Sequence, residues 1–130
     1  DGFVRHVGLS NVSVDQLETA REIVEVATVQ NRYNVADRDA EPVLEACEEY
    51  DVGFLPWYPL AAGDLDEVGE ALDAVAAAHD ATRRQVALAW LLERSEVTLP
   101  IPGTSSIEHL EENVAAADIE LTGEDLARLD

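Results

Sequence analysis

The chain has 130 residues, with 28 acidic side chains against 8 basic ones, and a net charge of −20. That balance argues against a nucleic-acid-binding face and against docking to an anionic membrane, and no apolar run approaches membrane-spanning length. An apolar fraction of 47% is enough for a core, and acids are spread along the chain (Glu48, Glu49, Asp51; Asp64, Asp66, Glu67, Glu70) rather than gathered in a tail. Diffuse acidity of this kind marks a solvated surface. Its self-repulsion calls for screening by salt, so we expect a salt-adapted, cytoplasmic protein. Cys47 has no partner for an internal disulfide and falls on an apolar helix stripe, where we expect it to be buried.

In chain order, a strand over 3–9 leads to Ser10 and Asn11 and a helix over about 14–24. A strand over 26–29 leads to Gln30 and Asn31, a polar loop and a helix over 41–50. A strand over 52–56 leads to Trp57, Tyr58 and Pro59, then to helices over 65–79 and 83–94. A last strand over 97–101 runs into Pro102, Gly103, Thr104, Ser105 and a further helix. The strand runs are short and β-branched or aromatic, as buried strands are. Helical spacing shows in Val43, Leu44, Cys47, Tyr50 and in Val68, Leu72, Val75. Caps are expected at Ser13 with Gln16, at Asp39, at Asp64, at Thr82 with Gln85, and at Ser105 with Glu108. Pro42 sits in a first turn, where its missing N–H does little harm. Strands alternating with helices imply parallel pairing with helical crossovers.

The turn at Gly103 is the most informative. A glycine lets the backbone bend and approach a ligand, and amides at a helix start, backed by the dipole, favour an anion such as phosphate. An ordinary strand-to-helix connection would look similar. Its neighbours favour a ligand: Ser10, Asn11, Gln30, Trp57 and the Gly103 turn all follow strands, and α/β proteins place their sites at those carboxyl ends. The amides and hydroxyl of Ser10, Asn11 and Gln30 suit a carboxamide, and Trp57 can stack on a flat ring. Together they point to a nicotinamide dinucleotide. Asn11 and Thr104 could instead be helix caps, Trp57 a core residue, and Trp90 packing against the sheet.

Five ordered segments resemble the carboxyl-terminal half of an aldo-keto reductase: Val4 to Asn11, Val29 to Asn34, Pro56-Trp57-Tyr58-Pro59-Leu60, Gln85 to Leu92, and Ile101 to Asn113. The resemblance implies half of a (β/α)₈ TIM barrel, four parallel strands alternating with helices, equivalent to strands five to eight. It implies Ser10, Asn11 and Gln30 on the nicotinamide carboxamide and Trp57 on its ring, with Tyr58, Pro59 and Leu60 beside it. It implies Pro102, Gly103, Thr104 and Ser105 at the phosphate end, and His109, Glu112 and Asn113 near the adenosine. A small carbonyl compound would be the substrate of the whole protein. Many members carry lysine and arginine where this chain has Gly103 and His109, which weakens an NADPH-type site and leaves NADP or NAD open.

The family's catalytic tyrosine, lysine, aspartate and histidine belong to its amino-terminal half. This chain has no lysine, and Tyr33, Tyr50 and Tyr58 do not match the catalytic tyrosine. His6, within a strand, and His79, at a helix end, are expected to be structural or solvated. We assign no catalytic residue and no metal ligand. A full barrel takes roughly 250 residues, so we expect a fragment whose open strand edges favour association with the missing half or with another copy. A non-catalytic nucleotide-binding or regulatory module on the same scaffold, and a small open-sheet domain for another phosphorylated ligand, are the alternatives.

Overall fold

The structure, a computed structural model, describes residues 2–61, 65 and 68–130. Three parallel strands, β1 (Val7–Ser10), β2 (Val26–Gln30) and β3 (Gly53–Phe54), pair in that order. Around them run α1 (Val14–Arg21), α2 (Glu41–Tyr50), α3 (Gly69–Ala78), α4 (Arg83–Arg94), α5 (Ile107–Ala115) and α6 (Gly123–Leu129), with a 3₁₀ turn over Ala116–Asp118. Parallel neighbours with helices between them are what the alternating pattern demands.

Two sheet faces differ in kind. Val29 and Phe54 stand opposite each other in the register and are both fully buried under the helices. Thr28 and Gly53 form the next pair and face the other way. There a Cβ on Gly8 would lie 2.5 Å from Thr28 Oγ1, and one on Gly53 would lie 3.7 Å from Leu99 Cδ1. Leu99 is exposed on that face, so the helix-free side of the sheet is only thinly covered.

The core is centred on α4, whose run from Val86 to Leu91 is buried without interruption. Trp90 stacks on Tyr33 at 5.7 Å, and Tyr33 meets Phe54 edge-on at 5.8 Å. The Arg38 guanidinium covers Trp90 at 4.6 Å while donating to the Leu129 carbonyl and the Asp130 carboxylate. That grip fastens the end of α6 to the loop before α2. Trp90 is thus packing, as its amphipathic position implies. Cys47 is fully buried, and burial pushes its thiol up to about 11.

Several boundaries correct the sequence reading. β1 begins at Val7 instead of residue 3, which leaves Phe3, Val4 and His6 exposed before the strand. The fourth strand is reduced to one parallel bridge, Phe54 to Thr98, carried by the Phe54 N–H to Val97 and the Leu99 N–H to Phe54. α1 stops at Arg21. The boxes at Ser13/Gln16 and Thr82/Gln85 form, and Pro42 lies in the first turn of α2. Asp39 does not cap α2: Ala40 holds that position, and the helix opens with tight bonds from Glu41 to Arg38 and from Val43 to Ala40. Asp64, expected to cap α3, lies outside the described residues, and α3 itself begins at Gly69.

α6 was not anticipated. Thr122 and Asp125 form its capping box, and the His79 ring at the end of α3 bonds Asp125 at 2.8 Å. The bond from His79, with two more from Thr122, holds the Asp125 carboxyl down at about 2, against an ordinary 3.8. A depressed carboxyl binds its proton less well folded than unfolded, so its contribution is complete above about pH 4 and fades as pH falls toward 2. Urea melts across that window should show the native protein losing more stability on acidification than Asp125→Asn. Parallel acid profiles would contradict this role.

Candidate functional site

The parallel register sets Ser10 beside Gln30 at the carboxyl ends of β1 and β2. Asn11 follows at φ +54°, a left-handed conformation that asparagine tolerates better than most residues. Its N–H donates to the Gln30 carbonyl at 3.0 Å. Its side-chain oxygen accepts the Trp57 indole N–H at 2.8 Å, a bond spanning 46 residues. Ser10, Asn11, Gln30 and Trp57 are therefore one cluster, contributed by three successive strand ends.

Two buried asparagines hold those ends in place. Asn31 donates to the Val12 carbonyl at 2.8 Å and accepts from the Val12 N–H at 3.1 Å, while its own carbonyl accepts from Trp57 N–H. Asn34, fully buried, accepts from the Ala36 and Asp37 N–H groups and donates to the Tyr58 carbonyl at 3.0 Å. Sequence reasoning quoted both without assigning them a role. An amide that can both donate and accept, placed directly after a strand, was the available signal.

Tyr58 has φ +62°, costly for an aromatic residue and held there by the Asn34 bond. Its ring lies edge-on to Trp57 at 6.2 Å, with the Arg32 guanidinium 4.8 Å from its centre. Pro59 and Leu60 are buried behind it. Tyr33 is sealed in the core, its hydroxyl donating to Glu41 and its pKa raised by burial. The Tyr50 hydroxyl donates to Glu18, which raises its pKa. Neither is placed as a proton donor to a ligand at the strand ends.

The second cluster follows the Thr98 bridge. Ser106, not Ser105, caps α5: it is the residue with extended backbone, and its hydroxyl accepts from the His109 N–H at 3.3 Å. Glu108 consequently stands one position too early for the expected box. Thr104 Oγ1 accepts from the Ser106 N–H at 3.1 Å, so Thr104 stabilises the turn, while Ser105 is exposed. Gly103 is not in the left-handed region, which corrects the expectation that the bend itself needs glycine. What distinguishes the position is space, since a Cβ there would meet nothing within 4 Å.

On α5, His109 and Glu112 are half-buried, and the Glu112 carbonyl accepts from Gln85 at 3.1 Å, tying α5 to α4. Asn113 covers both amide atoms without giving either a partner among the described residues. A cavity of about 320 Å³ joins the two clusters, lined by Tyr58, Pro59, Leu60, Arg84, Ile101, Pro102 and Gly103. Arg84 was not singled out from the sequence. Among the described residues no group of three His, Cys, Asp or Glu side chains is placed to hold a metal ion, and no helix is long and apolar enough to cross a membrane.

A planar aromatic, converging amides and a cleft leading to a helix start form an elongated polar-aromatic track along the strand ends. Known proteins share this framework. An oxidoreductase of Schizosaccharomyces pombe is 52% identical over 130 residues, matching all of this chain and 42% of its own length. The pyridoxine 4-dehydrogenase of Escherichia coli is 46% identical, over 99% of this chain and 45% of its own. The chain thus spans less than half the length of either relative. An aldo/keto reductase from Klebsiella pneumoniae, solved in complex with NADP and acetate, superposes with a TM-score of 0.89 at 35% identity over 99% of this chain and 48% of its own. A thermostable aldo-keto reductase in complex with the inhibitor epalrestat reaches 0.93 at 34% identity, with the same coverage. The sequence model of the aldo/keto reductase family matches residues 1–130, end to end, and the chain belongs to that family.

Proposed function

We propose that this chain is the cofactor-binding, carboxyl-terminal half of an aldo-keto reductase barrel, its strands standing fifth to eighth, and that it holds NADPH or NADH. The Trp57–Asn11 bond carries the reading. It fixes a flat indole at the strand ends within one cluster with the amides of Asn11 and Gln30 and the hydroxyl of Ser10. The residues present suit such a cofactor: among the described residues Arg84 keeps a buried Nε without a partner at the connecting cavity, and Gly103 opens on empty space. When bound, the cofactor supplies a hydride for a carbonyl carbon. Trp57 would stack on its ring, Ser10, Asn11 and Gln30 would orient its carboxamide, and the turn at Pro102, Gly103, Thr104 and Ser105 would face the adenosine phosphate. His109, Glu112 and Asn113 would line the adenosine end. Pro59 and Leu60 back Tyr58 and keep that aromatic wall rigid.

The proton for the nascent alkoxide must come from groups outside these 130 residues, since the chain has no lysine and none of its tyrosines matches the catalytic one. The chain alone is therefore expected to reduce no carbonyl compound with either cofactor. The substrate-bearing protein, in this reading, is cytoplasmic and salt-adapted. The thinly covered sheet face, where Leu99 is exposed, would be closed by the other half of the barrel or by a second copy.

In the full-length protein, Trp57→Ala should weaken NADPH and NADH binding about fivefold, the loss of one stacked contact worth about 1 kcal/mol. Gly103→Lys places a cation where no atom obstructs it and should shift preference toward NADPH by about tenfold. Fluorescence titration with the two cofactors reads both effects. Unchanged binding by Trp57→Ala, together with an unchanged NADPH-to-NADH ratio in Gly103→Lys, would mean that the site lies elsewhere.

A further inference from the structure

Arg84 stands in the first turn of α4 next to Arg83, and no acidic residue shares that turn. Cations there oppose the positive end of the helix dipole, so local electrostatics disfavours both. Arg83 is compensated by a forked pair with the Asp73 carboxylate. Arg84 is not: its Nε is buried and has no hydrogen-bond partner among the described residues. A covered charged donor left unpaired is expensive. Elsewhere Arg32, Arg38, Arg94 and Arg128 each find a carboxylate, and Arg21 covers the Tyr50 ring. Nothing about α4 itself calls for the residue.

The cavity beside it does. Among the described residues Arg84 is the one charged member of its lining, between Tyr58, Pro59 and Leu60 on the β3 side and Ile101, Pro102 and Gly103 on the Thr98 side. A cleft whose described lining carries one unpaired guanidinium and no acidic side chain suits an anion. We propose that Arg84 is a ligand of the diphosphate bridge of the dinucleotide, donating its planar fork to oxygens of the two phosphates. This assignment rests on the cofactor reading above. A ring at Trp57 and an adenosine end at Gly103, Thr104 and Ser105 leave the diphosphate to cross the interval between Tyr58 and Gly103, where the cavity lies. Because NADH and NADPH share the diphosphate, Arg84 sets affinity for both and discriminates between neither.

The test is calorimetric titration of NADH and NADPH into the full-length protein and into Arg84→Met, Arg84→Lys and Trp57→Ala. Methionine keeps the apolar stem, and lysine restores a charge without the fork. Arg84→Met is expected to weaken both cofactors by the same factor, about ten- to a hundredfold, as for a lost charge-assisted pair, with Arg84→Lys recovering part of it. A loss confined to NADPH would place the guanidinium on the 2′-phosphate and overturn the assignment. Unchanged affinity in both Arg84 variants, with Trp57→Ala weakened, would overturn it while leaving the cofactor reading intact. Unchanged affinity in all three variants, or no dinucleotide binding by the unsubstituted protein, would overturn that reading and this assignment with it.

Discussion

Trp90→Ala is expected to cost about 3–5 kcal/mol of stability, the range for deleting a large buried aromatic, against the 5–15 kcal/mol that holds a typical domain together. Trp90 is 2% exposed. It joins three parts of the fold, through Tyr33 to the loop after β2, through Arg38 to the end of α6, and through α4 to the helices beside it. Alanine would leave the Tyr33 face unpacked and remove the ring under the Arg38 guanidinium. Trp90→Phe, which keeps an aromatic face, should lose less than half as much. Urea unfolding followed by circular dichroism measures both. A Trp90→Ala midpoint close to that of the native chain would show that the core is centred elsewhere.

Helix positions are the part of this fold most legible in the sequence. α2 and α4 occupy the residues that helical spacing assigned to them, since long apolar stripes with strong caps leave little latitude. Strand bounds were less legible, because a strand ends where its neighbour's ladder ends, and that information lies in another part of the chain. The fourth strand kept only its Phe54–Thr98 bridge for this reason. Choosing between Ser105 and Ser106 as a cap depends on one pair of backbone angles that two adjacent serines do not encode. For α6 the signal lies in Thr122 and Asp125, but seven residues are too few for a helical period to stand out.

At the candidate site, the residues directly following each strand could be named from the sequence, and register alone brings Ser10 to Gln30. The supporting contacts were not found, since the Trp57 bond to Asn11 spans 46 residues and the Asn31 clamp on Val12 spans 19. Arg84 was hidden differently. In sequence it is one of two adjacent arginines on a helix, and only the cavity separates it from Arg83.

Charge sets the other large expectation. Raising KCl from dilute buffer to molar concentration should raise the melting temperature by about 8 °C, the shift that accompanies roughly 2 kcal/mol in a domain of this size. The net charge of −20 is unevenly compensated. The arginines are mostly engaged with particular carboxylates, as at Arg32–Asp37 and Arg128–Glu124, while acids such as Glu45, Glu49, Glu93 and Glu111 face solvent. Repulsion among exposed charges falls off once the Debye length shrinks from about 30 Å at 0.01 M to about 3 Å at 1 M. The Arg pairs weaken too, but exposed pairs contribute little each, so relief of repulsion dominates. Molar KCl also favours burial of apolar surface, so the comparison needs a control of the same fold. A variant with four of those exposed acids changed to glutamine should start with a higher melting temperature in dilute buffer and gain less from salt. If both proteins gain equally, the salt effect is not electrostatic, and the acidic surface does not make this chain depend on salt.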